Sequence, residues 1–334
     1  MLDAGVFPDS ASSDATLSPA SARPPPNVGP ATTSIAKRAF ALRVLTLGDT
    51  DRAGVASPTA WRSLGYDVDR VVSTEGSVDH CALVSGAASR VKVDGERGID
   101  NAFAAHVVPR LAAIDSTATR STNESLAAGT DNALFETVGL DLSPEQTSSA
   151  LTAQSFDGAR RSTRPMWNGS DDFFVTTSSL NDGSTLASGS KTAFSEVYVN
   201  AGLFVATGGT MRVRVRLGGG VVPLTIHHAT LTFIKPHSGF DTLQGTIAGV
   251  LDTDELVAAL REEAGRVSMA LCDGTTFDDL AQEIRQASDL SRNGLNLAGI
   301  LCEGISIGLG FVATEIRPLA TAAQAPPKTP DPCR

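Results

Sequence analysis

The seven residues Met211-Arg212-Val213-Arg214-Val215-Arg216-Leu217 decide the fold class. Side chains alternate across a strand, so this pattern puts aliphatic groups on one face and guanidinium groups on the other. Working outward, stretches 134–142, 151–156, 172–177, 196–206, 221–234 and 242–251 read as further strands, parted by turns rich in glycine, asparagine and proline. No helical pattern intervenes, which argues against a doubly wound parallel sheet. Short turns such as Gly208-Gly209 favour antiparallel neighbours instead. The expectation is a mainly β (α+β) chain with an antiparallel β-sandwich-like core and helical segments before and after the strand-rich middle.

The flanks complete that outline. Phe40 to Leu47 is a strand by its aliphatic content, and Val91 to Val93 is short and strand-like. Ile305 to Ala313 has period two, and Ser306, Gly308 and Gly310 give it a small face that another layer can approach closely. Helices are predicted near 101–128, with a kink at Pro109, near 253–265 and near 276–290. In the second of these Leu256, Val257 and Leu260 share a stripe. In the third, Phe277, Leu280, Ala281 and Ile284 face inward. Residues 1–36 and 319–334 are rich in proline and small polar residues without an apolar period. They read as a disordered leader and a Pro-rich tail around one β-rich domain at 37–318.

The 334 residues carry a formal charge of −10, which argues against a nucleic-acid partner because such a partner demands a basic face. The most apolar stretches, 40–47 and 296–313, are interrupted by Arg43 and Glu303 and are too short for a transmembrane segment. Four cysteines, Cys81, Cys272, Cys302 and Cys333, permit three pairings. Cys272 and Cys302 bracket the last helix, so a disulfide is expected between them, leaving Cys81 and Cys333 as the second pair. Disulfides imply an oxidising, extracytoplasmic compartment, whether periplasm, outer-membrane surface or medium.

Several motifs match known chemistry in letters only. Gly304-Ile305-Ser306-Ile307-Gly308 has the nucleophile-elbow pattern, but all five histidines precede Ser306, and the elbow needs one after it. Gly308-x-Gly310-x-x-Ala313 lies within a strand, where a dinucleotide fingerprint would have to open a helix. His227 and His228 are neighbours on one strand and point to opposite faces, so they do not share a metal, and His237 adds no zinc-like spacing.

Two sets of residues are candidate sites. Arg212, Arg214 and Arg216 form a row about 13 Å long, taking about 3.3 Å per residue. Such a row suits a carboxylated or polyanionic ligand, or equally a solvated strand face. The second set is acidic. Asp49-Thr50-Asp51-Arg52-Ala53-Gly54 matches the first half of a calcium loop, although Ala60 stands where the bidentate glutamate belongs. Asp67, Asp69, Asp94 and Asp100 follow in further turns, and together the six aspartates could supply the roughly 6–8 oxygens calcium takes. Turn chemistry alone also accounts for Asp beside Gly, as it does for Asp171-Asp172.

Several phrases, in order, resemble a family of uncharacterised, predicted exported or lipoprotein-like proteins of large-genome soil bacteria. They are Leu47-Gly-Asp-Thr-Asp-Arg52 with Trp61, Gly65-Tyr-Asp-Val-Asp69, Gly98-Ile-Asp-Asn101, Trp167-Asn-Gly, Tyr198-Val199, Leu243-Gln-Gly-Thr-Ile-Ala-Gly249 and Cys302-Glu-Gly-Ile-Ser-Ile-Gly-Leu-Gly-Phe311. The resemblance spans residues 38 to 315. It implies export, with release or with a lipid anchor on a leader upstream of Met1, and carries no activity with it. The functional expectation is an exported or envelope-associated, non-enzymatic binding module, calcium-stabilised, for an envelope or extracellular ligand. The alternative is an exported hydrolase of glycans or esters using Asp67, Asp69 and Asp100 as general acid and base or as metal ligands.

Overall fold

Strands form where the alternation is strongest, and one sheet collects most of them. The computed structural model describes residues 22–29, 34–141, 143–147, 150–234, 242–324 and 330–333. In chain order the strands are β1 (Lys37–Thr46), β2 (Ala133–Val138), β3 (Gln146–Thr147), β4 (Thr152–Asp157), β5 (Val175–Thr176) and β6 (Thr192–Ala193). They continue with β7 (Glu196–Asn200), β8 (Leu203–Leu217), β9 (Gly220–Ile234), β10 (Thr242–Asp252), β11 (Gly304–Ile316) and β12 (Ala322–Ala323). The helices are α1 (Val108–Ile114), α2 (Ala118–Ala128), α3 (Thr253–Glu262), α4 (Ala264–Val267) and α5 (Gly274–Arg285).

Ten strands make one sheet in the order β3-β7-β8-β9-β10-β11-β1-β2-β4-β6. Every neighbouring pair in it is antiparallel, as the sequence predicts. The expected sandwich of two facing sheets is replaced by this one sheet curled on itself. The Ser155 hydroxyl of β4 reaches the Thr210 carbonyl of β8 at 3.1 Å, and the Ser195 amide beside β6 donates to the Thr207 carbonyl. Gly208-Gly209 is a bulge that bends β8 rather than a turn that ends it. The register with β9 shifts there, Gly208 has φ +71°, and His228 opposite has φ +50°. Bulges raise twist and curvature, so they let two strands of 15 residues wrap round the core.

Phenylalanines fill the inside of the curl. Phe40 stacks on Phe135 at 4.9 Å, Phe204 on Phe233 at 4.4 Å, and Phe311 meets Phe135 edge-on at 6.2 Å. All five are almost fully buried. The helices pack where predicted. A π-helical turn at Phe103–Val107 leads into α1, with Pro109 in its first turn, where the missing N–H costs nothing. Helix α2 lies on β1 and β8, its Asn123 side chain exchanging hydrogen bonds with both backbone groups of Leu45. Asp252 caps α3 through the amides of Asp254 and Glu255, and α5 buries Phe277, Leu280, Ala281 and Ile284. Val91 to Val93 is not a strand, since Ser89–Lys92 forms a 3-10 turn.

Residues 47–100 form a loop layer over the opposite face of β11. A Cβ on Gly308 would stand 2.2 Å from the Leu64 carbonyl oxygen, so only hydrogen fits there. The Asn101 amide clamps the contact. Its Nδ2 donates to the carbonyls of Leu64 and Gly308 at 2.9 Å each, and its Oδ1 accepts from the Gly308 and Ala104 amides.

Parts of the sequence read as leader and tail are integrated. Residues 22–29 lie as a strap over the sheet, with the Tyr198 hydroxyl donating to the Pro25 carbonyl and the Asn200 amide to the Pro26 carbonyl, both at 2.6 Å. In the tail, β12 pairs in parallel with β5, and Asp331 accepts from the Gly265 amide. Residues 1–21, 30–33, 325–329 and 334 lie outside the described residues, as do Lys235 to Asp241 with His237.

The expected disulfide pairing is corrected. Cys81 bonds Cys302 and Cys272 bonds Cys333, with Cα atoms 5.2 and 5.0 Å apart. A parallel bridge between Ala82 and Leu301 sets Cys81 beside Cys302, while Cys272 sits near α4, where the tail returns. Bracketing α5 therefore placed Cys272 and Cys302 at different seams. Peptide mapping without reduction should find the links 81–302 and 272–333 and no free thiol. Loss of either link, by paired Cys→Ala substitution, should cost about 2–5 kcal/mol in denaturant unfolding.

Candidate functional site

Four segments converge on a buried acidic centre between the loop layer and the sheet. Asp67 and Asp69 come from one extended stretch, Asp94 from a turn, Asp100 from the residue before the Asn101 clamp, and Asp289 from the segment after α5. Carboxylate oxygens of Asp67, Asp69 and Asp100 lie within 4.8 Å of one another. These three are at most 8% exposed.

Backbone amides hold the carboxylates in place. Asp100 accepts from Val68 at 2.6 Å and from Asp69 at 3.3 Å. Asp69 accepts from Val71 at 2.7 Å, and Asp94 accepts from the Ser73 amide. Asp289 is bound twice by Ser306, whose amide and hydroxyl donate at 2.7 and 2.6 Å. Ser306, the serine of the elbow-like pentapeptide, is thus a buried strand residue holding a carboxylate. Arg23 of the strap binds Asp67 Oδ2 through Nε at 2.7 Å and a terminal nitrogen at 2.6 Å. The other oxygen of Asp67 is buried with no hydrogen-bond partner, and so is the Ser73 hydroxyl.

This crowding has an electrostatic cost. Burial, with the charges of Asp69 and Asp67, pushes Asp94 up to about 7. Burial pushes Asp289 up to about 7 as well, against the pull of Ser306. Asp100 is raised well above the usual carboxylate range by burial and then by Asp69, Asp94 and Asp289, and Asp69 is raised chiefly by burial. His80 at the rim is lowered by burial, and further by Lys92, against the pull of the Cys81 carbonyl and Asp69.

The Cys81–Cys302 disulfide pins the rim. Cys81 donates its amide to Asn296 Oδ1 at 2.7 Å, and Asn296 stands beside Asp69 with its Nδ2 buried and unsatisfied. His80 lies next to both sulfurs, but sulfurs joined in a disulfide are not thiolate ligands, so the trio His80, Cys81, Cys302 is no metal site in this state.

Asp49 and Asp51, expected in the same set, are not brought to this centre. Asp49 accepts from the Thr119 hydroxyl of α2, and Asp51 closes its own turn by accepting from the Ala53 and Val55 amides. That is the turn chemistry open to any Asp before a glycine. Asp171 does likewise for Met166 and Trp167. Asp289 was missed, and its signal was only an acid set among small and apolar residues at a helix end.

The arginine row is spent on carboxylates. Arg212 and Arg214 both reach Asp157, at 3.1 and 3.3 Å, and Arg216 holds Asp131 at 2.8 Å. The row floors a 670 Å³ cleft whose far wall is α3 with Glu255 and Glu262; Arg160 and the Glu263–Arg266 ion pair, at 2.7 Å, also line it. His227 pairs with Glu255 at 2.7 Å, and His228 lines a 590 Å³ cavity beneath the strap. The opposite faces expected of the two histidines are corrected: the bulge, with His228 at φ +50°, breaks the alternation, so Ile226 and Ala229 both enter the core and the two histidines between them both lie off it.

Comparison with known proteins finds no match to any family model, curated protein or solved structure.

The raised carboxyls fix a pH dependence. Unfolded aspartates titrate near 3.9, so between about pH 4 and 7 the four raised carboxyls bind more protons in the folded chain than in the unfolded one, outnumbering His80 and His106, which burial lowers and which act in the opposite sense. In chelator, stability should therefore fall as pH rises through that window and be lowest above it. Asp94→Asn should raise Tm at pH 8 by about 1–2 °C for each kcal/mol recovered, taking about 2.1 cal/mol/K of unfolding entropy per residue, and flatten the slope. A Tm that climbs from pH 5 to 8 in chelator would contradict this account.

Proposed function

We propose that the protein is an exported, extracytoplasmic binding module, without catalytic activity, whose acidic centre takes calcium. One observation carries the reading: the buried, partnerless oxygen of Asp67 in a centre where three carboxylates already converge. Calcium is a hard cation that takes oxygen ligands in flexible geometry, and its charge offsets the repulsion that otherwise forces these groups to hold protons. Asp67, Asp69 and Asp100 are the ligands, with Asp94 beside them. An ion suits a centre whose three converging side chains, Asp67, Asp69 and Asp100, are more than nine-tenths buried, and a sugar chain or ester does not. That burial favours the binding module over the hydrolase.

Two disulfides accord with an oxidising compartment, and no described helix is long and apolar enough to cross a membrane. Release or a lipid anchor then sets the final location, as in the exported proteins the sequence resembles. The ligand face in this reading is the 670 Å³ cleft. Its paired arginines and facing glutamates suit a ligand carrying both charges better than a polyanion.

Calcium at 1–5 mM should raise Tm at pH 7.5, by RT ln(1 + [L]/Kd), or about 2.7 kcal/mol at a hundredfold excess over Kd. Magnesium should do less, because it demands near-octahedral geometry. Asp100→Asn should abolish the calcium increment. An unchanged Tm in calcium would refute the reading.

A further inference from the structure

The strap and the acidic centre share one carboxylate. Asp67 Oδ2 is held by the Arg23 guanidinium, while its Oδ1 stands unpartnered in the buried centre. A guanidinium and a divalent cation on the two oxygens of one carboxylate repel each other across a few ångströms; the carboxylate is buried and the guanidinium half-exposed, so water screens the pair only on the strap side. Arg23 also anchors the N-terminal end of the strap. Ala22 accepts from the Asp67 amide at 3.0 Å, and beyond Arg23 the strap is held by Tyr198, Asn200 and the Asn27–Glu196 contact at 3.2 Å. These contacts close the strap over the 590 Å³ cavity, whose walls include Tyr66, Tyr198, Val205 and His228. Arg70 and His228, two non-glycine residues at positive φ, both line it. Strained backbone of this kind marks a wall held in place by its surroundings.

We infer that residues 22–29 are a cation-released lid: cation binding at Asp67, Asp69 and Asp100 and docking of the strap by Arg23 oppose each other, so that occupation of the centre opens the cavity beneath. This rests on the cation reading above. Linkage makes the antagonism reciprocal, so whatever the cation does to the strap, loss of the strap does to cation affinity by the same factor.

The test uses the full chain and calcium alone. Calcium affinity is measured by titration calorimetry in the wild type, Arg23→Gln and Tyr198→Phe, and amide exchange of residues 22–29 is followed with and without calcium. Arg23→Gln should tighten calcium binding by about 5–150-fold, the range of typical couplings, and calcium should speed exchange in the wild-type strap. Tyr198→Phe removes the hydrogen bond to Pro25 without touching an acidic residue, so it should tighten calcium too, by a smaller factor. If Arg23→Gln tightens binding but Tyr198→Phe does not, the effect is local charge and the lid is overturned. Equal affinity in all three chains with unchanged strap exchange also overturns the lid while leaving the cation site standing. Absence of calcium binding in every chain overturns both.

Discussion

Strand β11 is buried on both faces, and everything else in the fold arranges itself around that fact. On one side its Phe311 joins the aromatic interior of the curled sheet; on the other, the loop layer comes so close at Gly308 that no side chain fits. Backbone brought this near to backbone must have its polar groups satisfied, because a buried, unpaired amide costs about 1–3 kcal/mol. Asn101 performs that task with one carboxamide, serving Leu64, Gly308 and Ala104 at once. Asp100 is its sequence neighbour, so the clamp that seals the loop layer also delivers a carboxylate to the buried centre. Fold and candidate site are thus two outcomes of one close approach.

The parts legible in the sequence were those with local periodicity. Alternation in Met211 to Leu217 and Ile305 to Ala313 assigned two strands and the small face of the second. The stripe Phe277, Leu280, Ala281 and Ile284 chose the buried side of α5. Illegible were features set by contacts distant along the chain. Gly208-Gly209 is ambiguous locally, since glycine at positive φ serves a turn or a bulge, and only pairing with β9 decides. Cysteine spacing cannot reveal that Cys81, 221 residues before Cys302, is brought beside it. Of the six aspartates proposed for a cation, four gather at the centre while Asp49 and Asp51 serve a turn and a helix contact. The same residue type before glycine does both jobs.

The acidic centre is a compromise between solvation and charge. Asp69, Asp94, Asp100 and Asp289 each accept from backbone amides, which favours the ionised form, yet burial and mutual repulsion raise all four. A site so balanced holds protons, a cation or a guanidinium according to what is available. Arg23 supplies the last from a segment far from the centre in sequence.

The two margins of the sheet are β3 and β6, each only two residues long. Long unpaired edges are templates for pairing with other chains, and short ones, with the curl bringing β6 against β8, deny that template. A ten-stranded antiparallel sheet thereby offers another chain only two-residue strands at its margins, which limits edge-to-edge association.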